Sequence, residues 1–193
     1  MQKKNVRNLV VAGLLVAFGL VLSYIFHMMI PSPPPPAPRL GAIFLPMHIP
    51  VLIAGLMLGW KYGLAVGFVT PILSWLLTQM PMIAPLPMLQ TMIFELAIYG
   101  AVAGLLVSRI RTKSRYANLY ASLIGAMIAG RLVMGALNAV WFSLGWFPPN
   151  MSFSLQFWLG GALITAWPGI LIQLVFVPSV VFALEKAFNS RTE

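Results

Sequence analysis

The sequence predicts an all-α integral membrane protein, a single bundle of six transmembrane helices with both termini in the cytoplasm, and three observations carry that expectation. The first is composition. Of 193 residues, 60% are hydrophobic and only 8% charged, with a mean hydropathy of +0.92. A soluble domain carries about 25% charged residues, so this chain has too few to cover a water-exposed surface. The second is the length of the uncharged runs. No charged residue separates Arg131 from Glu185, a stretch far beyond the ~20 apolar residues that cross a bilayer. The third is the placement of positive charge along the chain.

A net charge of +9 would suit a nucleic-acid ligand if it formed a continuous stripe. Here the basic residues form short clusters between apolar segments, so no nucleic-acid partner is expected. Hydrophobic runs and their breaks place helices at roughly 6–30, 43–60, 61–80, 87–109, 117–146 and 155–187. Six passes put Lys3, Lys4, Arg7, Lys61, Arg109, Arg111, Lys113, Arg115, Lys186 and Arg191 on one side of the bilayer. Arg39 alone falls on the other side, and Arg131 lies inside a helix. A basic excess marks the cytoplasmic face. The asymmetry holds only for an even number of spans, and four spans would leave a long apolar stretch unassigned.

The breaks themselves are legible. Gly59-Trp60-Lys61-Tyr62-Gly63 permits a tight turn between the second and third helices. Proline marks the connections on the opposite side, at 31–38, at Pro81, Pro85 and Pro87, and at Pro148-Pro149. The run Pro31 to Pro38 favours extended polyproline geometry. These apolar connections suit either surface linkers or lids over a cavity. The first hydrophobic run, Leu9 to Ile30, is too long for a signal-peptide core and lacks an A-x-A-like cleavage site, so it is expected to be retained as a helix. The absence of cysteine excludes a disulfide framework and a thiolate metal site. Small residues recur at four-residue spacing: Gly13 and Ala17, Gly55 through Gly67, Gly100 and Gly104, and Ala121 through Ala129. That spacing lets helices approach closely, mostly for internal packing.

Charges in hydrocarbon cost several kcal/mol, so Glu95 and Arg131 need a reason to be there. At 1.5 Å per residue Glu95 sits roughly 12 Å deep from one face and Arg131 near the midplane, close enough in depth to pair. Two readings stay open: an ion pair that fixes helix packing, or a pair of which one or both members hold a ligand. Uncharged polar residues add direction. Thr70, Ser74 and Thr78 share one face of the third helix, and Thr91, Glu95 and Tyr99 share one face of the fourth. Arg131 and Asn138 share a face of the fifth beneath Trp141 and Phe142, and His48 lies between Pro46 and Pro50. Any one of these is accounted for by an interhelical hydrogen bond, worth about 0.6 kcal/mol on average. Convergence from four helices is better explained by a small-molecule pocket. The expected substrate-binding set is His48, Ser74, Thr78, Thr91, Glu95, Arg131, Asn138 and Trp141.

No motif supports chemistry. There is no P-loop, no H-E-x-x-H and no G-x-S-x-G, and no second carboxylate to work with Glu95, since Glu185 and Glu193 fall in the cytoplasm. His27 and His48 lie on different helices without an expected acidic neighbour, so neither a metal nor any other cofactor is expected. Transport remains. A stand-alone ion-coupled carrier would need a coupling-ion path, for which Glu95 is the sole intramembrane carboxylate; a membrane enzyme has no residues to work with.

Four segments carry a resemblance: Phe44 to Gly59 (FLPMHIPVLIAGLMLG), Lys61 to Pro71 (KYGLAVGFVTP), Phe94 to Gly100 (FELAIYG) and Gly130 to Gly135 (GRLVMG). Together with the size and the proline-bearing loops, they resemble the S components of energy-coupling factor transporters, nearest to the pantothenate-type and folate-type branch. The resemblance implies a vitamin-binding subunit in a prokaryotic cell membrane, surrounded by lipid and working with a transmembrane coupling protein and two ATPases that supply the missing P-loop. It implies pantothenate as first choice, with folate, cobalamin or another precursor as alternatives. Family members carry small residues in the first helix, often A-x-x-x-A, that dock on the coupling protein. The match here is Gly13 and Ala17, with glycine where alanine is usual. Family S components are also thought to topple within the bilayer, which a sparse charge inventory would ease.

Overall fold

A computed structural model describes residues 2–31, 40–79, 85–110, 112–147 and 152–189. Its elements are α1 (Gln2–Tyr24), continued by a π-helical turn (Ile25–Met29); α2 (Leu40–Phe44); α3 (His48–Leu58); α4 (Trp60–Thr78); α5 (Pro85–Arg109); α6 (Arg115–Ser143); α7 (Leu155–Leu159), running into a π-helical segment (Gly160–Thr165); and α8 (Trp167–Asn189). Among the described residues there is no strand, and six segments are long and apolar enough to cross a membrane: Asn5–Met29, Leu40–Leu58, Trp60–Thr78, Leu86–Arg109, Arg115–Ser143 and Trp167–Lys186. The fold is all-α, as composition requires.

The observed breaks differ from the expected ones for local reasons. The second span is not one helix, because Leu45 adopts φ 50° and Pro46 follows it. Proline removes a donor and restricts its predecessor, so α2 stops and α3 restarts at His48. The fifth span ends at Ser143 instead of continuing to 146. Gly145 takes φ +70°, its N–H reaches Phe142 O, and the Trp146 N–H reaches Trp141 O. That is the paired hydrogen bonding of a glycine C-terminal cap, and it folds Trp146 and Phe147 back along the helix they leave. The sixth span is interrupted at Ala166, with Pro168 in the first turn of α8. The proline-rich stretch 32–39 and the connections 80–84 and 148–151 lie outside the described residues, as do Arg39, Arg111, Arg191 and Glu193.

α3 is the central helix, touching α1, α4, α5, α6 and α8, and Val51, Leu52 and Ala54 have no exposed surface. α5 packs on α3, α4 and α6. The closeness of α3, α4 and α5 has a specific cause. A Cβ at Gly55 or at Gly63 would overlap the Gly100 carbonyl, and one at Gly100 would overlap the Gly63 backbone. A Cβ at Gly67 would strike Leu96, and one at Gly104 would strike Trp60. Backbones meet directly at all these points, which side-chain-bearing residues could not allow. At the opposite extreme, nothing lies within 4 Å of a Cβ built on Gly13, and Ala17 is exposed as well. The Gly13/Ala17 face therefore packs on nothing within the described chain.

Gly100→Leu is expected to lower the thermal stability of the detergent-solubilised protein strongly, because overpacking costs about 1–3 kcal/mol even against movable side chains and here the obstacle is backbone. Gly13→Leu should leave it unchanged. Equal melting temperatures for the two variants would show that the glycine contacts do not hold the bundle.

Candidate ligand-binding site

The site grows from one crowded helix position. Tyr99 on α5, next to Gly100, is only 1% exposed. Its ring lies against Gly130 of α6, where a Cβ would overlap the ring carbons, and meets the His48 ring of α3 edge-on at 4.9 Å. One aromatic side chain thus spaces three helices. One turn before Tyr99, Glu95 faces the same gap, and on α6 the residue after Gly130 is Arg131.

Arg131 Nη1 donates to Glu95 Oε1 at 3.1 Å, and His48 Nε2 lies 3.5 Å from the same oxygen. The pair is buried, with side chains 11% and 5% exposed. The two charges expected to lie at similar depth therefore do pair. The expectation that His48 has no acidic neighbour is corrected: Pro46 and the restart at His48 turn its ring onto Glu95. Among the described residues no three groups assemble into a metal site.

The pair is unevenly satisfied. Glu95 Oε1 receives Arg131 and faces His48, whereas Arg131 Nε and Nη2 are buried with no acceptor among the described residues. These two nitrogens form one edge of the guanidinium fork, the geometry that matches both oxygens of a carboxylate. Buried donors left unpaired each cost about 1–3 kcal/mol, so packing alone does not account for this arrangement. Further along the same face of α6, Asn138 Oδ1 lies 3.2 Å from Thr91 Oγ1, whose one hydroxyl proton it shares with Pro87 O of the threonine's own helix at 2.9 Å. Above them Trp141 stacks on Trp146 with centroids 4.9 Å apart, its Nε1 likewise buried without an acceptor. Phe142 stacks on Phe147 at 4.0 Å.

Five of the eight expected residues are thus linked across helices, His48, Glu95 and Arg131 from α3, α5 and α6, and Thr91 with Asn138 from α5 and α6, while Trp141 follows Asn138 on α6 and stacks on Trp146. Ser74 and Thr78 are directed otherwise. Ser74 Oγ bonds Ser23 Oγ of α1 at 2.6 Å, and Thr78 Oγ1 donates to Ser74 O, as Thr70 does to Val66 O. Helical serines and threonines commonly turn back to the carbonyl one turn earlier. This face of α4 packs on α1, where Gly19 abuts Thr70 and Pro50. Sequence reasoning passed over two neighbours of the site. Gly135, between Arg131 and Asn138, carries the indole of Trp158, and Ser23 reaches Ser74 and His27. The recurrence of a small residue four positions after Arg131 was the available signal for Gly135.

Comparison with known proteins follows this geometry. Residues 7–181 match the family described as ECF transporter, substrate-specific component. No match is found among curated proteins or among solved structures. The matched region holds four of the six spans whole, most of the first and the last, and every residue of the site. The chain belongs to the substrate-specific, or S, components of energy-coupling factor transporters.

Proposed function

We propose that this S component captures a small carboxylic acid, pantothenate first, at the Arg131 edge between α5 and α6. The observation that carries the reading is the asymmetry of the ion pair. The Glu95 charge is already engaged by Arg131 and His48, while Arg131 keeps two buried donors without acceptors. A cation would compete with Arg131 for Glu95; an anion meets a prepared fork. Pantothenate carries one carboxylate, two hydroxyls and an amide. Its carboxylate would bind Arg131, and its polyol and amide would lie toward Thr91 and Asn138. Folate is the second acid in order, favoured by the stacked pairs Trp141–Trp146 and Phe142–Phe147 beside the site. Ser74, which bonds Ser23 of α1, and Thr78, which turns back to Ser74 O, are assigned no ligand contact.

The chain lacks a P-loop, so a coupling protein and two ATPases are proposed to supply the energy. The Gly13/Ala17 face of α1 is proposed as the docking surface, because it is exposed and open to close backbone approach. The orientation proposed from the basic residues puts both termini in the cytoplasm of a prokaryotic cell.

Isothermal titration of the detergent-purified protein tests the ligand. Arg131→Met should weaken pantothenate binding by roughly 2–3 kcal/mol, the value of a charge-assisted contact, with an unchanged elution profile. Arg131→Lys, which keeps the charge but not the fork, should recover only part of the loss. Unaltered affinity in Arg131→Met would reduce the residue to packing, and no binding by wild type would discard pantothenate. Coupling is tested in cells. Gly13→Leu with Ala17→Leu should abolish uptake and spare binding, whereas equal loss of both would make that face internal. A cysteine at Ser114 should label with an impermeant reagent only from the cytoplasmic side, and labelling from outside would reverse the orientation.

A further inference from the structure

Trp158 stands outside the expected site, yet its indole lies against Gly135 on the Arg131–Asn138 face of α6. A Cβ built on Gly135 would come within 2.6 Å of both Nε1 and Cε2 of Trp158, so the N–H edge of the indole rests on the α6 backbone. Gly135 follows Arg131 by four residues and precedes Asn138 by three, which places all three on one helix face. The indole therefore rests on the α6 face that also carries Arg131 and Asn138.

Its N–H is buried and has no acceptor among the described residues, which is also true of Arg131 Nε, Arg131 Nη2 and Trp141 Nε1. Four N–H donors lie along one strip of α6 without a protein acceptor. Asn138 Oδ1, on the same face, is approached by the Thr91 hydroxyl. Two further buried atoms are unpaired nearby in sequence or space: Gln90 Oε1, which precedes Thr91 on α5 and is rotated about 100° from the Thr91–Glu95 face, and His48 Nδ1, on α3 across from α6. On the α6 side the unpaired buried atoms are N–H donors, which calls for a ligand that brings acceptors to them. The segment that delivers Trp158 is itself irregular: α7 ends one residue later in a π-helical stretch, Gly160–Thr165, where Gly160 and Gly161 have open space around them. Such π-helical turns are frequent at functional sites.

We propose that Trp158 is a ligand-contacting, specificity-determining residue. The ligand class is a carboxylic acid that carries a second oxygen acceptor. The carboxylate takes the Nε/Nη2 edge of Arg131, and the second acceptor takes the Trp158 indole N–H. Gly135 belongs to the same device, because any side chain there displaces the indole. This inference rests on the reading of this α6 face as the ligand site. In pantothenate the amide carbonyl, separated from the carboxylate by two methylenes and a nitrogen, supplies the second acceptor.

The test uses the full chain in detergent. Trp158→Phe keeps the apolar ring and deletes the donor, and should weaken pantothenate about tenfold, one hydrogen bond's worth, without changing the elution profile. In ¹⁵N-tryptophan-labelled protein, the indole resonance that Trp158→Phe removes should shift downfield when pantothenate is added; a merely structural indole would stay in place. Unchanged affinity together with an unmoved resonance overturns the role of Trp158, and Arg131→Met then tells whether the parent reading survives. If wild type does not bind pantothenate, the vitamin assignment falls, and folate, biotin, nicotinate and thiamine are titrated in its place. Binding of an acid that shifts the Trp158 resonance sustains the inference. Binding of thiamine alone, or of none of them, overturns it.

Discussion

Direct backbone contact at Gly55, Gly63 and Gly100 is the constraint on which the rest of this bundle depends. In a bilayer the lipid tails are as apolar as leucine, so helices gain little from hiding hydrophobic surface and must gain from close packing instead. Glycine at all three positions lets α3, α4 and α5 meet without intervening side chains. The consequences reach the site within one residue. With α5 pinned at Gly100, the neighbouring Tyr99 fills the gap between His48 and Gly130. Glu95, one turn away, is then held opposite Arg131.

The pair so formed is an unusual use of charge. A buried ion pair replaced by well-packed apolar residues is often neutral or even stabilising, so the pair is weak evidence for stability by itself. Its geometry here adds a second argument. A polar network buried in a protein is expected to be complete, because low dielectric makes each missing partner expensive. This one engages Glu95 Oε1 but leaves Arg131 Nε and Nη2 unpaired, as it does His48 Nδ1, Trp158 Nε1 and Trp141 Nε1. Deviations from local consistency are expected at functional or strained sites, and in the function proposed here the missing partner is the ligand.

Much of this was legible in the chain. Hydropathy gave the six spans, and helical rise alone put Glu95 and Arg131 at pairing depth. The small-residue spacing at Gly55 to Gly67 and at Gly100 marked the close crossings. Depth and periodicity do not give azimuth, however, and that is why Ser74 and Thr78 were placed in the ligand site. Their hydroxyls are met by Ser23 and by the backbone of α4 itself. Nor does periodicity mark a break caused by φ. Leu45 at +50° divides the second span, and Gly145 at +70° ends α6 and stacks Trp146 on Trp141. Trp158 was missed because its place depends on an irregular segment that packs on α6 from a distance in sequence.

The central claim is that an S component of this family holds its substrate at the unpaired edge of Arg131. Native mass spectrometry of wild type and Arg131→Met, released side by side from membranes of cells fed the same vitamins, tests it most directly. The account predicts a small-molecule adduct on the wild type, with the accurate mass of a carboxylic acid, that is absent from the variant. The same adduct carried undiminished by both proteins would contradict it.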